Sequence, residues 1–464
     1  MSEEATLDEF TDDYDGVLSS KPQGVRLALD ESYPEEWGFA ELNEVCEVNS
    51  GFTWNKEQET DSSEEGAVPV IKIGNVQDGY LDLDDILYLT GVSENDLREN
   101  KARKDWLLMI GSNGSGERVG YCGIIEEDME FVYASFLYGL RADSEHLLPR
   151  FLFYSLNQPK VQQRLTSFTA GSTSLKNLNK STIENLSIPT SPFSEQRQIA
   201  TILYTVDQAV EKAKQIGEQV KRVKRALAQE LIHTGINDSQ TKSAWMGKIP
   251  SHWDVREFSE IIESCQNGIY KNKHEYGGPY PIIKMGDIFG GVKLDGPITE
   301  RVYLEDNEID KYGTVEGDLV FARHAQAGWG AGDCTYVPDL EEKAVVESNM
   351  VQVRLSDDVD SLFYAQYFNS EIGTKSIKRI TTTGNIKSIS QGDLMNLKVP
   401  VPPKKEQEDI AEILSVFDEK SNHSESEVER LQRLKRGLMQ DLLSGTVRTT
   451  DTNIEVPEEI AQHG

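Results

Sequence analysis

Residues 111–118, "GSNGSGER", resemble a glycine-rich loop that could bind a nucleotide phosphate. Such a loop needs Lys and then Ser or Thr after its last Gly, to reach the terminal phosphates and magnesium. Glu117 and Arg118 stand at those two positions, and a carboxylate repels phosphate. The matching stretch later in the chain, "RHAQAGWG", lacks the pattern. The sequence therefore argues against nucleotide binding.

Other patterns that could support catalysis are weak. The carboxylates of residues 338–343, "PDLEEK", crowd into one short stretch, whereas the metal ligands of a nuclease come from separate strands. The 7 His form no HExxH pair. No Pro-Pro pair is flanked by Asn or Asp and by an aromatic residue, which is the signature of an amino-methyltransferase. The 4 Cys are far apart and form no CxxC pair. We therefore expect no catalytic residue, no metal site and no cofactor in this chain.

A polar loop around a Gly occurs twice, at residues 169–180 ("TAGSTSLKNLNK") and 381–393 ("TTTGNIKSISQGD"). Gly lets a backbone come close to a ligand, while hydroxyl, amide and Lys side chains bind phosphate oxygens. Repeated Ile-Lys and Gly-aromatic phrases add further candidates, although solvent-exposed turns and strand ends fit these patterns too. The candidate DNA-binding residues are Lys56, Lys72, Ser172, Thr173, Lys176, Asn177, Lys273, Lys284, Arg323, Asn385, Lys387 and Ser388.

The formal net charge of -32 opposes DNA binding at long range, because acidic side chains and phosphates repel each other. The acidic residues are spread along the chain, which is typical of proteins from a salt-rich cytoplasm. At about 1 M salt the Debye length falls to about 3 Å, so local basic groups still engage phosphate. No run of about 18 apolar residues and no signal peptide is found. We expect a halophilic, cytoplasmic protein whose charge does not exclude DNA.

The chain of 464 residues repeats itself once. "VPVIKIGNVQDG" from Val68 is answered by "YPIIKMGDIFGG" from Tyr280, and both copies begin with a Pro-x-x-Trp motif. Near the end of each copy "SEQRQIATIL" is answered by "KEQEDIAEIL". The landmarks keep one order through nearly the whole chain, so the sequence indicates an internal duplication.

Each copy begins with short β-branched or aromatic runs separated by Gly-rich turns, together with one helix-like stretch. "IPTSP" and "VPVPP" close these parts, since Pro continues neither a helix nor a ladder. We expect an α+β protein with two similar mixed α/β globular heads. The predicted segments are an acidic disordered tail at 1–32, head 1 at 33–192, a long helix at 193–235, a linker at 236–248, head 2 at 249–403, a second long helix at 404–446 and a disordered tail at 447–464.

Apolar residues recur at alternating steps of three and four after each head, which indicates a coiled-coil seam over about four to five heptads. A helix of about 38 residues is roughly 57 Å long, and two of them are expected to pair antiparallel as a rod between the heads, with pseudo-two-fold symmetry. Lys420 and Ser424 interrupt the second seam and predict weaker pairing there. The predicted partner-binding residues of the helices are Ile199, Val206, Val220, Leu227, Ile410, Phe417, Leu431 and Leu438.

Taken in order, these motifs resemble the specificity subunit of a type I restriction–modification system. The resemblance covers about residues 33–447 and rests on the Pro-x-x-Trp motif, the Pro-x-Ile-Lys-x-Gly phrase and the Gly-Ser/Thr-x-x-x-Leu loop. It also rests on "EQRQIA" or "EQEDIA" opening a helix that closes with "LAQELIHTGI" or "LMQDLLSGTV". Each motif is weak alone, and the ordered duplicate set is specific.

The resemblance implies a division of labour between subunits. Each head resembles a target recognition domain that reads one half of a split, asymmetric DNA sequence. The helices resemble the rod that docks two methyltransferase subunits, which bring S-adenosylmethionine and methylate adenine. A separate motor-nuclease subunit would bring ATP and Mg and cut unmodified DNA. The chain itself would then be a non-catalytic subunit, and the divergence of its heads predicts two different half-sites.

Two other classes of protein are compatible with parts of the sequence. A protein-interaction scaffold with two binding heads on a coiled-coil rod fits the acidic charge. A nuclease or methyltransferase in its own right lacks its motifs here. DNA binding measured across a salt series separates these classes, because phosphate contacts give a steep dependence on salt.

Overall fold

The structure, a computed structural model, divides into two compact units. Unit 1 comprises residues 1–211 and 429–464, and unit 2 comprises residues 212–428. Each unit therefore holds one head and parts of both long helices. The described residues are 25–26, 33–61, 66–113, 118–128, 130–168, 176–236, 240–289, 291–326, 330–382, 386–450, 454–457 and 460.

Unit 1 is a mixed α/β assembly whose sequence pattern explains its central strands. The apolar run "LLMI" forms the strand Leu107–Ile110, which is buried on both faces. An eight-residue helix begins at Pro149, and Pro suits this first position because its missing N–H would have no partner within the helix. The helices are α1 (Leu42–Val45), α2 (Glu94–Asn100), α3 (Pro149–Leu156), α4 (Pro159–Phe168), α5 (Lys180–Glu184) and the long α6 (Phe193–Thr234), which continues into unit 2, and the strands are β1 (Val25–Arg26), β2 (Gly38–Glu41), β3 (Cys46–Ser50), β4 (Glu59–Thr60), β5 (Val68–Ile71), β6 (Leu87–Leu89), β7 (Leu107–Ile110), β8 (Ser112–Asn113), β9 (Cys122–Ile124), β10 (Val132–Tyr133), β11 (Leu137–Ala142), β12 (Lys176–Asn177) and β13 (Leu186–Thr190).

Unit 2 repeats this plan, with a hairpin before its head. The helices are α7 (Met285–Ile288), α8 (Asp306–Tyr312), α9 (Ser361–Asn369), α10 (Glu371–Ile380), α11 (Gln391–Met395) and the long α12 (Lys404–Leu443), which continues into unit 1, and the strands are β14 (Thr241–Ala244), β15 (Gly247–Pro250), β16 (Asp254–Glu257), β17 (Ile262–Asn267), β18 (Tyr276–Ile283), β19 (Arg301–Val302), β20 (Leu319–Ala322), β21 (His324–Gln326), β22 (Cys334–Tyr336), β23 (Val345–Val346), β24 (Met350–Leu355), β25 (Ile386–Ser388) and β26 (Lys398–Val401).

The two heads share one sheet topology. A four-stranded antiparallel sheet has the order β3-β11-β7-β9 in head 1 and β17-β24-β20-β22 in head 2. In both heads a parallel pair joins the strand of the repeated phrase to a later short strand, β5 with β10 and β18 with β23. A short ribbon, β8–β12 or β21–β25, follows the same sheet in each head. The predicted duplication and α+β class are therefore confirmed at the level of strand order.

The largest apolar core of each unit joins a head to long-helix residues. In unit 1, Phe151 and Leu152 of α3 share a core with Ile199 of α6 and Leu442 of α12. In unit 2, aromatic side chains of α9 share a core with residues from both long helices, Leu231, Ile232, Ile410, Ala411 and Leu414. The ends of the long helices are therefore part of the head cores.

Three of the eight helix residues predicted to bind a partner are buried within the chain. Ile199 and Ile410 are fully buried in the two cores, and Leu431 is buried as well. Because a heptad seam is satisfied by the helix that packs on it, these three side chains are not available to another subunit, which corrects the prediction. The remaining five residues are partly buried, namely Val206, Val220, Leu227, Phe417 and Leu438.

In unit 2 the end of α6 and the start of α12 pack antiparallel. Ser424 Oγ donates to the Ala213 carbonyl at 2.7 Å, and farther along the pair Lys224 Nζ binds Asp418. A Cβ on Gly217 would lie 3.2 Å from Ser424 Oγ, so a small residue at each position lets the helices approach closely. Ser424 is thus buried and hydrogen-bonded across the helix pair, and the weaker pairing expected near Lys420 and Ser424 stays a prediction.

One carboxylate, fully buried in unit 1 and partly buried in unit 2, joins the head of each unit to the start of its long helix. Trp37 Nε1 donates to Glu195 Oε2 at 2.9 Å in unit 1, and Trp253 Nε1 donates to Glu406 Oε2 at 3.0 Å in unit 2. The Pro-x-x-Trp motif and the Glu-Gln helix start therefore recur together because their side chains are bonded to each other.

The predicted tail at 447–464 and linker at 236–248 need correction. Arg448 binds both oxygens of Glu195, at 2.8 and 3.0 Å, and Ile460 is buried in the core of unit 1. In the linker, β14 and β15 form a hairpin whose Ala244–Met246 residues pack on the core of unit 2. Both segments read as polar in sequence, but a few apolar residues and one Arg are enough to dock their described parts.

Among the described residues, no helix is both long enough and apolar enough to cross a bilayer.

Arg448→Ala is expected to lower the free energy of unfolding by about 1–2 kcal/mol, because it removes two charge-assisted hydrogen bonds from a buried carboxylate. The loss is smaller than for a fully buried pair, since Arg448 keeps partial exposure to water. Urea unfolding of the full chain measures it. Arg436→Ala, an exposed position on α12, is the matched control and should change stability little. Equal effects of the two substitutions would contradict a docking role for Arg448.

Candidate nucleic-acid interface

One β-turn in each head is the point where the predicted binding segments meet. We call residues 134–137 and 347–350 the hub turns of head 1 and head 2. Each is closed by a hydrogen bond from its fourth residue to its first carbonyl, Leu137 N to Ala134 O at 2.8 Å and Met350 N to Glu347 O at 3.0 Å. Phe136 and Asn349 hold the third position of the turn, and both are exposed.

Three backbone segments bond to each hub turn in the same pattern. In head 1, Ser135 N donates to Phe52 O, Ala134 N donates to Ile71 O and Gly111 N donates to Phe136 O, at 2.8–2.9 Å. In head 2, Glu347 N donates to Ile283 O at 3.0 Å and Arg323 N donates to Asn349 O at 2.9 Å. The Gly-aromatic segment bonds to the turn through its Gly in both heads, Gly51 N to Leu137 O at 3.1 Å and Gly268 N to Met350 O at 3.0 Å. Each hub turn therefore brings together the segments of the Gly-aromatic phrase and the Ile-Lys phrase and the end of the central strand.

The Gly of the Gly-aromatic phrase is required for this crossing of backbones. A Cβ on Gly51 would lie 2.3 Å from Ala134 O, and a Cβ on Gly268 would lie 2.2 Å from Val346 O. No side chain fits in that space. These glycines therefore serve the packing of the hub turn and do not create room for a ligand.

The polar glycine loops are attached to the hub turns by the ribbons. In head 2, His324 lies opposite Ser388 and Ala325 lies opposite Lys387. Thr382 Oγ1 accepts from Ser388 N at 3.0 Å, which closes the base of the loop. In head 1 the equivalent ribbon pairs Asn177 with Ser112 and Lys176 with Asn113.

In head 2 the ribbon brings cationic and polar groups to one place. Arg323, Lys387 and Ser388 of the predicted set lie on its two adjoining segments. Lys387 is exposed and has no ion pair with any described residue. Burial and the charge of Arg323 lower the pKa of His324, so its ring is neutral at neutral pH and offers one donor and one acceptor. This set can bind phosphate oxygens and base edges.

Lys72 and Lys284 of the Ile-Lys phrase precede a helical turn rather than sit in the ribbon. Their backbone amides donate to Asn75 Oδ1 and Asp287 Oδ2, each at 2.8 Å. Lys284 Nζ lies 3.4 Å from Glu300 and 4.6 Å from the ring centre of Tyr276. Lys284 is thus engaged inside head 2, which disfavours the predicted DNA contact.

The remaining predicted residues divide into exposed positions and positions outside the described residues. Lys56 and Lys273 begin equivalent 3-10 helices, Lys56–Gln58 and Lys273–Glu275, and both are exposed. Ser172, Thr173 and Asn385 lie outside the described residues, and for Lys176 only the backbone position in β12 is described.

Sequence reasoning missed the hub turns themselves and Phe136 at the tip of one of them, whereas Tyr270 belongs to a Gly-aromatic phrase that was already a candidate. Tyr270, next to Ile269, has 72% of its surface exposed, and Phe136 has 57% exposed. An exposed aromatic ring can stack on a base or touch a thymine methyl group. The internal alignment of "YASF" with "VESN" contained the signal, because an aromatic residue and Asn occupy equivalent positions there.

A cation could be held by one described cluster, the ligand atoms of Asp143, Glu145 and His146, which lie within 4.8 Å of one another. These groups are mostly exposed, and Asp143 already binds the His146 ring at 2.9 Å. That hydrogen bond is the main reason why the pKa of Asp143 lies below its ordinary value. The cluster is explained as a surface turn.

Comparison with known proteins places both copies in one family. The family described as "Type I restriction modification DNA specificity domain" matches residues 34–222 and 250–436. The EcoKI specificity subunit of Escherichia coli K12 is 23% identical over 436 residues, which cover 92% of each chain. A putative MjaX specificity subunit of Methanocaldococcus jannaschii is 24% identical over 424 residues, covering 89% of this chain and 94% of the relative. The crystal structure of an S subunit from M. genitalium matches in fold with a TM-score of 0.56 at 17% identity, covering 90% of this chain and 98% of that one.

Gly51→Ala and Gly268→Ala are expected to lower the free energy of unfolding by about 1–3 kcal/mol, because the new methyl group forces two backbones apart. Gly74→Ala and Gly286→Ala, at equivalent positions of the Ile-Lys phrase with open space around them, should change it by less than about 1 kcal/mol. Urea unfolding of the four variants checks the contrast. Similar costs for both pairs would show that the backbone crossing is not tight.

Lys387→Ala is expected to reduce the slope of log K against log salt for DNA binding by about 0.9, the value for one lost phosphate contact. Lys284→Ala should leave the slope unchanged, because that side chain is held by Glu300 and Tyr276. Fluorescence anisotropy with duplex DNA over a salt series measures both. The opposite ranking would mean that the Ile-Lys phrase, and not the ribbon, faces the phosphates.

Proposed function

Because the chain belongs to the family of type I restriction–modification DNA specificity domains, we propose that each head reads one half of a split, asymmetric DNA target. The observation that carries this proposal is the pair of hub turns, which have one hydrogen-bond pattern and different exposed side chains. A shared backbone frame places each head on DNA in the same way, and different side chains give different half-sites.

The long helices are proposed to dock methyltransferase subunits, one on each side of the chain's own seam. Apolar side chains remain exposed on both helices, Ile216 and Val223 on α6 and Val416 and Leu434 on α12. Ile216 and Val223 are one heptad apart and therefore lie on one face of α6. Such a stripe on a long helix is typical of a surface that another subunit covers.

The chemistry of modification and cleavage is proposed to reside in the partner subunits. Two methyltransferase subunits would bring S-adenosylmethionine, and a restriction subunit would bring ATP and Mg. This chain would contribute the choice of sequence and the distance between half-sites.

Adenine methylation mapped across the host genome, with and without this gene, tests the proposal. We expect deletion to remove methylation from one split motif, made of two short half-sites with a constant gap. The control is the deletion strain with the gene restored, which should regain the same motif. Unchanged methylation in the deletion strain, with the methyltransferase gene expressed, would contradict the proposal and favour the scaffold interpretation.

A further inference from the structure

The two heads differ in chemistry at one pair of neighbouring positions, one in the hub turn and the other opposite it on the central strand's end. Position 111 lies opposite position 136 in head 1, one step beyond the Ile110–Leu137 pair of the ladder. Position 323 lies opposite position 349 in head 2, one step beyond the Ala322–Met350 pair. Opposite residues of an antiparallel ladder have their side chains on one face, about 4.5–5.5 Å apart. Each head therefore presents two adjacent side chains at the same place.

In head 2 this pair is Arg323 and Asn349, and neither side chain has a hydrogen-bond partner among the described residues. Arg reads guanine through O6 and N7, and Asn reads adenine through N6 and N7, each by two hydrogen bonds. Lys387 on the neighbouring ribbon strand is exposed and can hold the phosphate backbone. Head 2 thus has two base-reading side chains next to one phosphate contact.

In head 1 the same pair is Gly111 and Phe136, and a side chain at position 111 is excluded. A Cβ on Gly111 would lie 2.3 Å from the ring of Tyr138, where head 2 has the smaller Val351. Phe136 stays 57% exposed at the tip of the turn, although its ring gains nothing from water. Head 1 therefore offers an apolar ring and no donor at the place where head 2 offers an Arg and an Asn.

We propose that this pair of positions is the base-reading element that makes the two half-sites differ, with Arg323 and Asn349 bonding to base edges and Phe136 making an apolar contact. The inference rests on the proposed function, since it requires that both heads read DNA. The contact of Phe136 has the chemistry of a thymine methyl group or of the face of an unstacked base. The contacts of Arg323 and Asn349 have the chemistry of purine edges in the major groove.

The test measures sequence discrimination, which separates base reading from general binding. The full chain, assembled with its methyltransferase subunits, is bound to duplexes in which each base pair of the wild-type target is changed in turn. Arg323→Ala and Asn349→Ala should each relax discrimination roughly tenfold to a hundredfold at one base pair of the second half-site only. Phe136→Ala should do so at one step of the first half-site only.

The controls are Tyr80→Ala, an exposed aromatic residue of head 1 outside the hub turn, and Arg256→Ala, a partly exposed Arg of head 2 on β16 that binds Asp254. Both should keep the wild-type ratios. Variants with lowered thermal stability are replaced by Phe136→Leu and Asn349→Ser, which keep volume or polarity. Uniform weakening at every sequence, or unchanged ratios, would overturn the inference. A wild-type complex without any sequence preference would instead overturn the proposed function.

Discussion

Glu195 is fully buried, and its carboxylate accepts hydrogen bonds from Trp37 of the head and from Arg448 beyond the end of α12. Glu406 has the equivalent place in unit 2, where it accepts from Trp253 and, at 3.3 Å, from Ile236 N beyond the end of α6. A buried carboxylate is unfavourable unless several donors surround it. In each unit this carboxylate therefore links the start of one long helix to the head and to the residues that follow the other long helix. Gly235 and Gly445, with φ of +72° and +70°, supply the tight turns by which those residues leave the helices.

The second constraint on each head is the hub turn. Unlike the contacts of Glu195 and Glu406, it is held by bonds between backbone groups. Its geometry follows from backbone hydrogen bonds and from glycines that leave room for the crossing chain. Backbone bonds do not depend on side-chain identity, so the exposed tip can change while the frame stays the same. This separation of frame and tip is what a recognition domain needs, because specificity evolves at the tip without loss of stability.

Because the net charge is -32, contact with DNA phosphates depends on where unpaired Lys and Arg side chains lie. Lys271, with only 5% of its side chain exposed, is bound by Glu275 and Glu308, and Lys284 is held near Glu300. Glu275 accepts hydrogen bonds from the backbone and side chain of Asn272 and from the Lys271 side chain, which lower its pKa to about 2. This carboxylate therefore stays ionised and keeps its bonds at neutral pH. The cations of head 2 that stay exposed, among the described residues, include Lys273 and Lys387. An acidic surface elsewhere then favours one orientation of DNA on the chain.

Sequence alone determined the duplication, the α+β heads and the two long helices, because ordered motifs and apolar periodicity are local properties of the chain. The helices were predicted at 193–235 and 404–446 and lie at Phe193–Thr234 and Lys404–Leu443. Sequence also placed the ribbon residues Arg323, Lys387 and Ser388 among the candidates. Only the tertiary structure decided which Lys is already paired, since Glu300 is distant in sequence from Lys284. The hub turns and the docking of Arg448 likewise depend on long-range contacts, which leave no periodic signal in a single sequence.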